Sequence, residues 1–251
     1  MWWVLIIPPA VWLGKIIYDA MTSEEPTKHE EPLAGQSKAR ARRRVVFEER
    51  GDLEGKKIVV IGRTGAGKSS LINMLYGKSV LAVGPVASTT RWIEGVRVNL
   101  GPREAILVDT PGYGEIMTAE DYTSGLLHWM RRHKGEIDLV LLVIQADSKA
   151  HAEDKRILGR LVRENPRAPA AVVLSQVDKL LPVREPLEGA EWSARRPRST
   201  PKSKHIAEKI REVCEQFDIE RSSIAPAAAD GTSFNRRKLL RLIEKQMVAS
   251  T

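Results

Sequence analysis

The sequence predicts an α/β protein whose sheet is mostly parallel, with one antiparallel strand and helices on both faces. Three observations carry that reading. From about residue 55 onward, β-like apolar runs alternate with segments of helical periodicity. Such alternation builds parallel sheets covered on both sides. Two of the runs, 95–100 and 104–109, are separated only by Gly101-Pro102-Arg103, which is too short for anything but an antiparallel hairpin. The first run, Lys57-Ile58-Val59-Val60-Ile61, opens into the glycine-rich segment Gly62-Arg63-Thr64-Gly65-Ala66-Gly67-Lys68-Ser69, and a helical pattern follows from Ser70 to Leu75.

With 251 residues, 42% hydrophobic and 29% charged, the composition is that of a soluble globular protein with appendages rather than a disordered chain. The net charge of +8 points to an anionic partner: a nucleotide, a nucleic acid or a lipid surface. Cys214 is the only cysteine, so an intrachain disulfide is excluded, and a reducing compartment fits. The histidines, at 29, 128, 133, 151 and 205, show no metal-ligand spacing, and no zinc site is expected.

Along the chain, residues 1–21 are apolar apart from Lys15 and Asp19, with Trp2 and Trp3 near one end and Tyr18 near the other. A helix of about 21 residues reaches roughly 30 Å, just enough for a bilayer core. Pro8-Pro9 and the end of the uninterrupted apolar run at Gly14 weigh against a clean span. A secretory signal is disfavoured, because no basic stretch precedes the apolar run. Two readings therefore stand: a membrane anchor, or a short helix packed on the domain or a partner. Residues 22–54 read as a charged linker, acidic at first (Glu24, Glu25, Glu30, Glu31), then basic (Lys38, Arg40, Arg42, Arg43, Arg44). If the first segment spans a membrane, that basic cluster keeps the main domain in the cytoplasm, on the inner face. It also suits anionic headgroups or RNA phosphates.

The domain itself is read as 55–251. Gly62–Ser69 fits G-x-x-x-x-G-K-[ST], the phosphate-binding P-loop, and has the strand and helix that the motif needs on either side. Its glycines let the backbone wrap an anion, with N–H groups and a helix N-terminus aimed at it. Lys68 is then placed for the β- and γ-phosphates, and the Ser69 hydroxyl for Mg²⁺. Between the first helix and strand 95–100 lies Ala87-Ser88-Thr89-Thr90-Arg91, where the Thr90 hydroxyl could complete the metal shell and sense the γ-phosphate. The run Ala105–Val108 ends in Asp109-Thr110-Pro111-Gly112. Asp109 is placed to hold Mg²⁺ through water. The Gly112 N–H can meet the γ-phosphate, and the lack of a Cβ permits the approach. Strands follow at 138–144 and 171–175, the second leading into Ser175-Gln176-Val177-Asp178-Lys179. A carboxylate there accepts two hydrogen bonds from guanine, from N1–H and from the exocyclic amine, whereas adenine has no N1–H; the site should prefer GTP to ATP.

Residues 181–204 carry four prolines and several Arg and Lys, and read as an exposed basic insertion. Helical faces follow at Ile206, Ile210, Val213, Cys214 and Phe217 and at Leu239, Leu240, Ile243 and Met247, with a weaker strand at 223–228. Arg236, Arg237, Lys238 and Arg241 read as a solvated face of the last helix.

Together, Gly62–Ser69, Thr89-Thr90-Arg91, Asp109–Gly112 and Ser175–Asp178 resemble the translation-factor-class P-loop GTPases. Within that class they are similar to the Era-like group, often described as 50S ribosome-binding GTPases. The resemblance covers roughly residues 55–248. It implies a Ras-like fold, binding of GTP/GDP and Mg²⁺, and GTP hydrolysis as a switch, with loops 84–94 and 109–120 as the moving parts. It places Ser70 with the phosphate loop, Gln176 and Lys179 beside the base, and the Ala229 N–H on the guanine oxygen. Glu191-Trp192 and Phe234-Asn235 look like a bacterial subgroup of that class.

This chain departs from the pattern in several places. The family's Asn-Lys-x-Asp is Ser175-Gln176-Val177-Asp178 here, and the serine of its later Ser-Ala element is replaced in Ala228-Ala229. Tyr113 stands where Ras-type enzymes carry a water-orienting glutamine, and Gly65 where some relatives carry a potassium-binding asparagine. Slow intrinsic hydrolysis is therefore expected, accelerated by a homodimer or an activating protein. Three functions remain open: a membrane-tethered GTPase switch, an RNA- or ribosome-associated GTPase, and a nucleotide-binding scaffold with little hydrolysis.

Overall fold

A computed structural model describes residues 45–83, 92–100, 103–115, 117–149, 151–187, 191–192, 200–229 and 233–248. The apolar segment 1–21, the basic cluster 38–44 and Thr89-Thr90-Arg91 lie outside the described residues. Among the described residues no helix is long and apolar enough to cross a membrane.

Seven strands form one sheet in the order β1-β3-β4-β2-β5-β6-β7. They are β1 (Glu49–Gly51), β2 (Lys57–Ile61), β3 (Ile93–Leu100), β4 (Arg103–Asp109), β5 (Ile137–Gln145), β6 (Ala170–Ser175) and β7 (Ile224–Pro226). Among the described residues the five α-helices are α1 (Lys68–Tyr76), α2 (Ala119–Arg132), α3 (Ala152–Glu164), α4 (Pro201–Phe217) and α5 (Arg236–Val248). The β3–β4 hairpin supplies the antiparallel pairing expected from its short connection; every other pairing is parallel.

Successive side chains of a central strand enter opposite layers. In β2, Val59 and Ile61 join Tyr122 and Leu126 of α2, Leu161 of α3 and Ile210 of α4. Ile58 and Val60 join Leu71 and Leu75 of α1 and Leu239 and Ile243 of α5. The core is thus two apolar layers, one on each side of a sheet whose central strand, β2, is buried throughout. Nucleotide chemistry is left to the carboxyl edge, where β2, β4, β5 and β6 all end.

Three expectations need correction. The linker was read to run to residue 54, yet residues 45–54 belong to the folded domain. Phe47 is 5% exposed and sits in the α2 layer, and β1 runs parallel to β3, pairing Arg50 with Glu94. Two strands, β1 and β3, therefore run against the other five. Lys202 was read as part of an exposed insertion, but it is buried, and Thr200 already caps α4 by accepting the Ser203 N–H. Arg236 was read as solvated, but its guanidinium donates to Met74 O (2.7 Å) and Leu75 O (2.8 Å). It thereby caps the last turn of the P-loop helix, whose carbonyls have no intrahelical donor.

If residues 45–54 are part of the domain, Phe47→Ala should cost about 3–5 kcal/mol in urea unfolding of the full chain. A loss below about 0.5 kcal/mol, usual for exposed sites, would return this segment to the linker.

Candidate functional site

The phosphate loop leaves β2 and turns into α1. Gly67, the residue before α1, has φ 87°, a left-handed conformation that costs a side-chain-bearing residue energy and glycine little. The turn leaves the first N–H groups of α1 free of intrahelical partners and directed beyond its N-terminus. Ser70, half-buried, lies in that first turn.

Lys68 is buried, and its Nζ donates to Gly62 O and Arg63 O, both at 3.2 Å. Its ammonium is therefore curled under the loop, close to the place an anion would take. Burial lowers its pKa to about 8, and the Asp109 carboxylate partly offsets that. Asp109 ends β4 in register with Val60 of β2. Its Oδ2 accepts the Ser69 hydroxyl at 2.6 Å. The two predicted metal ligands are thus side by side, a buried carboxylate and a hydroxyl from different elements. Hard oxygens in small number suit Mg²⁺, which keeps waters and takes phosphate oxygens as its remaining ligands. No cluster of three or more His, Cys, Asp or Glu suited to a metal exists among the described residues. The third expected ligand, Thr90, lies outside them.

The base-side loop is bound directly to the phosphate loop. Ser175 Oγ is 2.7 Å from Ala66 O and 3.0 Å from Ile144 O, sharing one proton between two carbonyls. Gln176, at φ 56°, reaches over the loop so that its Nε2 donates to Gly65 O at 2.8 Å. Lys179 Nζ in turn holds the Gln176 amide oxygen at 2.6 Å. Gln145, not foreseen from sequence, ends β5 and donates to the same Gly65 O at 3.1 Å. Its place one residue beyond the apolar run 138–144, at the carboxyl edge, was the available signal.

Asp178 sits in a single 3₁₀ turn, Val177–Lys179. Lys202 Nζ donates to its backbone carbonyl (2.6 Å) and to Val183 O (3.2 Å). Lys202, from the end of the basic insertion, thereby fastens the turn expected to read the base. On the other side, Val177 N–H donates to Ala227 O at 3.3 Å, which brings the loop holding Ala228 and Ala229 alongside. The Trp192 and Asn235 signature positions converge beneath that loop. Asn235 Nδ2 donates to Pro226 O at 2.7 Å, and its Oδ1 accepts the Trp192 N–H at 3.2 Å. Arg237 pairs with Glu191 at 3.2 Å.

The segment after β4 departs most from expectation. A Cβ on Gly112 would lie 2.6 Å from both Thr64 N and Thr64 Cα. In this conformation the glycine is needed for close approach to the phosphate loop itself. Thr64 N–H donates to Tyr113 O at 3.0 Å. Tyr113 is fully buried, its ring tilted against that of Tyr122 with centroids 5.0 Å apart, and its phenol donates to Asp154 of α3. Burial first, then the Asp154 carboxylate, push that phenol above its ordinary range, so it stays protonated as the donor. Arg63 shares the same carboxylate (Nε 3.3 Å) and pairs with Glu153 at 2.9 Å. Its side chain turns to α3, leaving only its backbone at the phosphate loop.

Comparison with known proteins agrees with this geometry. Residues 57–176 match the family described as 50S ribosome-binding GTPase. The chain is 36% identical over 125 residues to the uncharacterised Escherichia coli (strain K12) protein YfjP, covering 50% of this chain and 42% of that one. It is 38% identical over 105 residues to GTPase Era of Acidimicrobium ferrooxidans, covering 41% of this chain and 36% of that one. The chain thus spans less than half the length of the curated relatives it matches. A crystal structure of an Aquifex aeolicus Era variant bound to GDP·AlF4⁻ superposes with a TM-score of 0.55 and 24% identity. It covers 75% of this chain and 56% of that one, a likeness of fold.

The depressed pKa of Lys68 gives a signed expectation. An anion seated against Lys68 favours its charged form, so binding draws in a proton where the free protein has lost it. Nucleoside triphosphate affinity should hold below pH 8 and fall about tenfold per unit above it. Calorimetry in buffers of different ionisation enthalpy should show proton uptake near pH 8. A flat affinity from pH 7 to 9.5 would contradict the role given to Lys68.

Proposed function

We propose that this chain is a GTPase of the Era-like P-loop class, which it resembles over residues 57–176, and that it binds GTP with Mg²⁺ and hydrolyses it to GDP and phosphate. In this reading it is a switch, tethered through residues 1–21 to the inner face of a cell membrane and slow without an activator. The observation that carries the reading is the joining of two loops. Ser175 and Gln176 bond the loop bearing Asp178 to the carbonyls of the loop bearing Lys68. One ligand with a guanine at one end and phosphates at the other would satisfy both loops at once.

The chain's own residues divide the work. The backbone N–H groups from Gly65 to Ser70 and the Lys68 ammonium hold the phosphates and offset the charge that builds on them during transfer. Ser69 and Asp109 would hold Mg²⁺, which supplies charge neutralisation when bound. Asp178 reads the base. Hydrolysis needs a group that orients the attacking water. Tyr113, at the position where a glutamine would do so, is locked to Asp154 inside the core. The slow rate follows from that, and a partner molecule would have to supply the missing group.

A second reading, association with RNA or the ribosome, is favoured by the description of the matching family and by the net charge of +8. It would appear as RNA binding that weakens steeply with salt.

Multiple-turnover phosphate release by the full chain with GTP and Mg²⁺ should exceed that of Lys68→Ala and stay near or below about 10⁻² s⁻¹. Release no greater than the Lys68→Ala background would make the protein a nucleotide-binding scaffold instead.

A further inference from the structure

The outer face of α3 carries a row of arginines that the fold does not use. Arg156, Arg160 and Arg163 are exposed, and Arg167 follows, also exposed, just past the helix end. Spacings of four and three residues line Arg156, Arg160 and Arg163 up on one helix face, over roughly 10 Å. None of the four makes a hydrogen bond or ion pair with another described residue. The acids within reach along the helix are already engaged: Glu153 with Arg63 (2.9 Å) and Glu164 with Arg131 of α2 (2.9 Å). Unscreened like charges at this spacing cost a helix a few tenths of a kcal/mol per pair, so the row gains from an anionic partner.

The place where the chain enters the domain says what that partner is. Val45 and Phe47 pack on Gly125 of α2: a Cβ there would lie 3.0 Å from Val45 Cγ1 and 3.0 Å from the Phe47 ring. Beside them Val46 is 59% exposed. α2 and α3 are neighbours and cover the same face of the sheet. The sequence preceding Val45 therefore joins the domain on the face that carries the arginine row. That sequence holds Lys38, Arg40, Arg42, Arg43 and Arg44, and before them the apolar residues 1–21. Among the described residues no exposed aromatic flanks the arginines to stack a base: the exposed large apolar ones are Val46, Tyr76, Val80, Val83, Leu181 and Val183. A convex helix face with guanidinium groups and no stacking platform suits a sheet of lipid phosphates better than single-stranded RNA.

We propose that the α2–α3 face is a membrane-apposed surface, and that Arg156, Arg160, Arg163 and Arg167 dock it on anionic phospholipid headgroups. The idea rests on the membrane-tether reading for its orientation, yet it can be tested apart from it. Docked this way, the domain would hold the carboxyl edge of its sheet sideways to the bilayer, with the nucleotide site open to solvent.

Flotation of the full chain with vesicles of phosphatidylcholine alone, or with phosphatidylserine added, separates the two ideas. Deleting residues 1–21 should abolish binding to the neutral vesicles; retention there would remove the tether and leave the arginine face standing. The quadruple variant Arg156→Glu, Arg160→Glu, Arg163→Glu, Arg167→Glu should bind neutral vesicles as the wild type does. On phosphatidylserine vesicles at low salt it should bind about tenfold or more weakly than the wild type. The four-fold Gln variant should fall between. None of these residues touches the nucleotide site, so unchanged GTP binding serves as the folding control. An anionic preference undiminished in the Glu variant, as the Lys38–Arg44 cluster alone would leave it, would overturn the proposal. So would loss of binding to an RNA oligonucleotide with the vesicle preference intact.

Discussion

A loop that turns its N–H groups toward an anion turns its carbonyls into the protein, and each buried carbonyl needs a donor. That constraint organises the whole carboxyl edge of this sheet. Gly62 O and Arg63 O receive Lys68 Nζ. Gly65 O receives the amides of both Gln145 and Gln176. Ala66 O receives the Ser175 hydroxyl, and Gly67 O receives the Leu71 N–H of α1. The donors come from the ends of β5 and β6 and from the start of α1. Satisfying the phosphate loop therefore fixes the loop proposed to read the base at a set distance from it. The two loops thereby become one hydrogen-bonded unit, so in the proposed reading phosphate binding and base recognition would be coupled.

The Asn and Lys of the Era-like pattern are Ser175 and Gln176 here. Each replacement retains a donor able to reach a loop carbonyl. What is lost is a cation over the base, and Lys179, holding the Gln176 amide, keeps a positive charge close by. The segment after β4 has changed in a different sense. Tyr113 anchors it to α3 through Asp154, which also takes Arg63 from the phosphate loop. One buried carboxylate thus ties the phosphate loop, the segment carrying Gly112 and α3 together. Movement of Gly112 toward a γ-phosphate would have to work against that anchor, or carry α3 along with it.

The central strands, the phosphate loop, the strand-end Asp109 and the turn at Asp178 were legible in the sequence, because apolar periodicity and turn chemistry are local. β1 was not: Glu-Arg-Gly has no apolar pattern, and its partner in β3 lies more than forty residues away, so nothing local announces it. Lys202 and Arg236 were read as solvated because charge usually signals exposure. Their burial depends on carbonyls of Asp178, Met74 and Leu75, left over by elements far off in the chain. The Tyr113–Asp154 contact was hidden for the same reason. Gln145 was half-visible: the end of a buried strand was expected at the ligand edge, but not its donation to a carbonyl. Thr90 and the apolar segment 1–21 lie outside the described residues and remain expectations from the sequence.

The account stands or falls on one ligand filling both joined loops, and nucleotide selectivity reads that directly. Titrating the full chain, with Mg²⁺, against GTP, xanthosine triphosphate and ATP, and repeating the series with Asp178→Asn, sets the base contact against the phosphate contacts common to all three. GTP should bind at least about a hundredfold tighter than ATP, a gap expected where a missing donor leaves a carboxylate unpaired. In the variant GTP should weaken and the xanthine nucleotide gain, because an amide can donate where the carboxylate only accepts. Equal affinities for GTP and ATP, unmoved by the substitution, would contradict it, leaving a phosphate loop whose bonded neighbour reads no base.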